Sequence, residues 1–188
     1  MQSLQQQQQQ IIINKNGLKI IKLDTNKFNL SFDIINNNIL LPAIVNLDLI
    51  KLLNKLNANL FESTKLDQKS DTNVMMNILL KDIFSDLGLP HYYLALNINN
   101  EGLGSDTIIF NCLSFNNKLD EYTDNIELIP IYNIIMYFNI KNNHNINVSC
   151  DINLNEDHNI PPFFEKIVGN LFYNIFYKLK QFIENVSF

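Results

Sequence analysis

Residues 161–185 read PPFFEKIVGNLFYNIFYKLKQFIEN, and this stretch decides the fold. Phe164, Val168, Leu171, Ile175, Leu179, Phe182 and Val186 recur at three- and four-residue spacing, and Ile167, Phe172, Phe176 and Ile183 widen the apolar face. Lys166, Asn170, Asn174, Lys178, Gln181 and Asn185 hold the opposite side. Apolar residues at that period mark an amphipathic helix, and the prolines suit its first turn. The spacing predicts one helix from Pro161 to about Asn185, packed by its apolar face on a sheet.

The sheet is legible just upstream. Ile146, Val148, Cys150, Ile152 and Leu154 alternate strictly with Asn147, Ser149, Asp151 and Asn153, the period-two pattern of a strand with one wet and one buried face. Val148, Cys150 and Ile152 are therefore expected inward, Ser149 and Asp151 outward. Before them Tyr132, Ile134, Met136, Phe138 and Ile140 form one face of another strand, with a turn at Lys141 to Asn145. Tyr92, Leu94, Leu96 and Ile98 alternate with Tyr93, Ala95 and Asn97, and Thr107 to Phe115 is apolar on both parities. The links expected between these strands are a Gly-containing turn over Asn99 to Ser105 and a polar loop over Asn116 to Asn125.

Toward the N-terminus, two apolar runs flank Asn16-Gly17, a strong hairpin signal, and Phe28 to Ile34 fits a third strand. Pro42 to Leu60 changes period, with Val45, Leu49, Leu52, Leu53, Leu56 and Leu60 at helical spacing. A polar link over Glu62 to Lys69 follows. Met76, Leu79, Leu80, Ile83 and Leu87 then predict a second helix from about Thr72 to Leu87, ended by Gly88 and Pro90. The Gln5 to Gln10 run has no apolar surface to bury and is expected to be disordered. The expected organisation is a disordered tail over 1–10 and one α+β domain over 11–188: an antiparallel sheet, two short helices after the first strands, and the long C-terminal helix packed on the sheet.

Composition narrows the function classes. The chain has 188 residues, enough for one ordinary core. Its net charge is −5, and all 14 basic residues are lysines scattered along the sequence. Without a dense basic stripe, nucleic acid is disfavoured as a partner. No apolar stretch reaches the roughly 20 residues that span a bilayer, and no secretory signal is visible. A cytoplasmic protein, not an integral membrane one, is expected. Cys112 and Cys150 lack metal-ligand spacing and read as buried small hydrophobes, so no metal and no cofactor is expected.

The order of strands, two helices, an antiparallel meander and one long final helix resembles the START-like (SRPBCC) helix-grip fold. Ile39-Leu40-Leu41-Pro42 resembles the entry to its first helix. Asp151 to Leu154, Ile160-Pro161-Pro162-Phe163-Phe164 and Gly169-Asn170-Leu171 resemble the same region of uncharacterised plastid and cyanobacterial members. The resemblance implies a curved sheet wrapped around the last helix, with an apolar cavity between them. It implies binding of a small apolar molecule or lipid without catalysis, the cavity lined by Phe164, Val168, Phe172, Ile175, Phe176, Leu179, Tyr132 and Met136. On that reading Leu171 and Ile175 seal the sheet contact while Phe172 and Phe176 face the void. Tyr173 and Tyr177, at the edge of the apolar face, would place hydroxyls at a cavity rim or partner surface.

Two rivals stand beside this reading. One is a protein-interaction module with a solid core and no cavity, its partner unspecified by the sequence. The other is an enzyme using polar groups such as His91 and Glu156. Glu156-Asp157-His158 is the densest ionisable cluster, but it reads as a solvated loop that caps the helix. Gly102 and Gly104 precede a strand and not a helix, so they do not form a phosphate cradle. No catalytic residue is assigned.

Overall fold

Asn16 and Gly17 take φ of 53° and 72°, the left-handed pair whose twist matches a hairpin. They join β1 (Gln10–Lys15) to β2 (Leu18–Asp24), and β3 (Lys27–Ile35) follows antiparallel. The structure is a computed structural model describing residues 9–82, 90–103, 106–116, 126–155 and 162–187, with the backbone alone at 103 and 162–164.

After β3 the chain crosses the molecule. The expected single helix over 42–60 is two, α1 (Leu41–Ile44) and α2 (Leu47–Leu56). Asn46 separates them because its side chain accepts the Asp48 amide at 2.8 Å, capping the second helix. A 3-10 turn over Ala58–Leu60 leads into β4 (Phe61–Gln68). The polar link expected here is thus a strand. It lies at the sheet edge, where exposed Glu62, Lys65 and Asp67 discourage pairing with other chains.

The helix expected over 72–87 is also corrected: residues 73–80 form β5 (Asn73–Leu80), and 83–89 lie outside the described residues. Val74, Met76, Ile78 and Leu80 face the core, while Leu79 packs with Tyr93 and Ala95 in a second cluster. With apolar residues on both faces, the run satisfies helical and strand periods alike.

The meander continues through β6 (His91–Leu103), β7 (Thr107–Ser114), β8 (Ile126–Leu128), β9 (Ile131–Asn142) and β10 (Asn145–Leu154). The glycine turn expected over Asn99 to Ser105 is mostly strand, since β6 runs to Leu103. Residues 117–125 of the expected polar loop lie outside the described residues. Among the described residues the strands order as β1-β2-β3-β10-β9-β7-β6-β5-β4, with β8 parallel to the start of β6 and the other pairs antiparallel. The β3–β10 pair, interior to that order, joins the N-terminal strands to the later meander. Val148, Cys150 and Ile152 are buried and Ser149 and Asp151 are half-exposed, the register that the alternation predicts.

The final helix, α3 (Pro162–Asn185), packs against β1, β2, β3 and α2. Its most buried seam is Tyr173, Phe176, Leu179 and Ile183, rotated from the expected stripe so that Phe182 is exposed. Buried Asn36 fixes its end, donating to the Ile183 and Val186 carbonyls at 2.6 and 2.8 Å. Lys22 pairs with Glu165 in its first turn. Buried Asn57 and Lys178 join the end of α2 and the turn after it to α3: the Asn57 amide donates to Ile175 O at 3.4 Å, and Lys178 Nζ donates to Asn59 Oδ1 at 2.6 Å.

Candidate functional site: an apolar cavity under the last helix

Contact between α3 and the sheet is tight on one side only. Gly169 is buried, and a Cβ there would stand 3.0 Å from Ile12 Cγ2, so the helix backbone lies close against β1. Farther across the sheet, α3, α2 and the β5–β6–β7–β9 half enclose a cavity of about 130 Å³. The helices contribute Ile50 and Leu53 from α2 and Val168, Leu171, Phe172, Ile175 and Phe176 from α3. The register sets the opposite wall. Met76 pairs with Leu96, Ile78 with Leu94, and Cys112 with both Ile98 and Ile134, and these side chains face inward together with Met136. Among the described residues no oxygen or nitrogen atom faces the interior; Tyr92 contributes its ring.

Five of the residues expected at a cavity line it: Val168, Phe172, Ile175, Phe176 and Met136. Leu171, expected to seal the sheet contact with Ile175, lines it as well. Leu179 does not, being packed in solid core one turn farther on. Tyr132 is corrected outright. It is 61% exposed, because a register shift sets Leu154 opposite Ile131 and Asn153 opposite Asn133. The bulge turns Ile131 into the cavity and Tyr132 out, where it borders an open polar groove with Asn153 and the β2–β3 turn. The Phe164 side chain lies outside the described residues. The sequence reading missed the α2 wall and the β5 wall. The first needed tertiary information, whereas the second was present as Val74-Met76-Ile78-Leu80 alternation within an ambiguous run.

Polar groups near the site serve structure. Tyr173 and Tyr177 stack at 5.2 Å; Tyr173 faces the first hairpin, the Tyr177 hydroxyl accepts from Gln181 at 3.0 Å, and neither lines the cavity. Asn16 donates to the Tyr173 hydroxyl at 2.7 Å, and Lys15 Nζ lies 4.0 Å from the Tyr173 ring centre. His91 Nε2 bonds the Leu80 carbonyl. His144 Nδ1 lies 3.1 and 3.0 Å from the Asn36 and Ile39 carbonyls, which requires a proton on that nitrogen. His144 thus ties the β9–β10 turn to the segment before α1. Glu156-Asp157-His158 lies outside the described residues. Burial pushes the Cys112 thiol up to about 12. Burial, then the neighbouring Cys112 and Asp151, raises Cys150 well above its ordinary value. Both thiols therefore stay protonated and poorly nucleophilic at neutral pH.

The sheet wrapped on a closing helix, with a cavity between, is a START-like helix-grip fold. The human StarD13 (DLC2) lipid transfer and protein localization domain superposes with a TM-score of 0.70 at 9% identity, covering 95% of this chain and 90% of that one. Human StAR-related lipid transfer protein 5 gives 0.67 at 10% identity, covering 94% and 86%. A fragment of a STAR-related lipid transfer protein from Xanthomonas axonopodis gives 0.63 at 12%, covering 93% and 98%. No family model matches the chain, and no curated protein matches it in sequence. No helix among the described residues is long and apolar enough to cross a membrane.

Proposed function

We propose that this chain is a non-catalytic binding domain for a small apolar ligand, with lipids as the first class to test. One observation carries the reading: a cavity walled by side-chain carbon and sulfur lies under the final helix. Ordinary cores close such gaps, because unfilled apolar volume costs stability. The lipid-transfer proteins that share the fold add support by likeness of shape. The Pro-Pro-Phe and Gly-Asn stretches favour a place near plastid and cyanobacterial members. The two buried, unpaired thiols fit a reducing cytoplasm. A cavity of this size also weighs against the rival reading of an interaction module with a solid core. Native mass spectrometry of the protein purified from its own cells tests the proposal. A bound molecule released on unfolding is the expected result. An empty protein that also takes up no fluorescent apolar probe would overturn it.

A further inference from the structure

We infer, resting on that reading, that the ligand moiety held in the cavity is uncharged and compact, a neutral hydrocarbon group of about ring size, not an ionised head group or a long acyl chain. Among the described residues, the wall bears no carboxylate, ammonium or imidazole, and its interior presents no hydrogen-bonding oxygen or nitrogen. A charge placed there would lose its hydration with nothing in exchange. Among the described residues at the helix entrance, the carboxylate of Glu165 is already engaged by Lys22. Size points the same way. The cavity holds about 130 Å³, whereas a dry apolar cavity of ~150 Å³ accommodates benzene and sites for drug-sized ligands run to roughly 300–1,000 Å³. Met76 and Met136 form part of the wall, and their unbranched thioethers let it adjust to the outline of a ring.

Those methionines also supply the test. In full-length protein carrying carbon-13 in its methionine methyls, Met76 and Met136 report on the cavity. Met75, on the opposite face of β5, is the internal control. Three probes are compared: toluene, benzoate of similar size but charged, and phosphatidylcholine vesicles. Toluene is expected to shift the Met76 and Met136 methyls and leave Met75 unmoved, with benzoate weaker by at least about tenfold. Benzoate binding at the same methyls within about threefold of toluene would overturn the requirement for neutrality while leaving an apolar binding site in place. Vesicles that move these methyls where toluene does not would overturn the size requirement. Silence from all three probes would remove the binding site itself, and the inference with it.

Discussion

Phe172 and Phe176 stand one turn apart on α3 in different surroundings. Phe176 is 4% exposed and tilts against Phe32 with ring centres 6.0 Å apart. Phe172 is half-buried and stands between the main cavity and a second one of about 20 Å³. Phe176→Ala should therefore cost about 3–5 kcal/mol, the range for a buried ring. Phe172→Ala should cost clearly less, below about 3 kcal/mol, while weakening uptake of a fluorescent apolar probe. Urea unfolding and probe titration of both variants check this, and equal losses at the two positions would contradict it. Helical spacing made these residues legible in the sequence, because it fixes which side chains share a face. Tyr132 was not legible, because strict alternation contains no sign of a bulge. Cys112 carries a second prediction. Its thiol ionises near 9 when unperturbed and near 12 when buried, so the unfolded chain releases this proton first as pH rises. The stabilisation is present below pH 9 and is lost between about 9 and 12, on the order of 1 kcal/mol per unit. Urea midpoints measured against pH should fall over that window, and less steeply in Cys112→Val.

Among the elements, β5 shows where sequence patterning runs out. Helical and strand periods both fitted its residues, and only pairing with β4 and β6 decides between them. The same holds for β4, whose polar sequence reads as a loop until its place at the sheet edge is known. The strands with one wet face, β10 above all, and the long helix were legible because burial on a single side writes one period into the sequence. The end of α3 depends on a contact between elements distant in the chain. Asn36 follows β3 and satisfies the Ile183 carbonyl of the last helical turn, a group that a helix cannot satisfy internally, and the Val186 carbonyl just beyond it. Asn36→Ala should cost about 1–3 kcal/mol by leaving buried carbonyls without a donor. Hydrogen exchange should quicken in the last turn of α3 before it does elsewhere in the helix. Uniform protection along α3 in the variant would assign the Asn36 contact no anchoring role.

Across the whole molecule, the cavity follows from how sheet and helix meet. Gly169 draws α3 onto the β1 side, and the far half of the sheet is bridged by α2 and by large apolar side chains that do not fill the space. A solid core and a hollow one respond in opposite ways to added volume. Val168 faces the cavity from α3, whereas Leu179, three turns on, is 1% exposed in the packed region. Val168→Phe places a ring where there is room, so its stability should stay within about 1 kcal/mol of the parent. Leu179→Phe places a ring where there is none and should cost about 1–3 kcal/mol. Ligand linkage then separates filling from simple tolerance. Toluene at ten times its dissociation constant should stabilise the parent by about 1.4 kcal/mol, and should do nothing for Val168→Phe, whose ring already occupies the site. Urea unfolding of the three proteins with and without toluene measures both effects. If Val168→Phe proved as costly as Leu179→Phe, the far half of the core would have to be as tightly packed as the near half, and a binding site under the helix would have no room to exist.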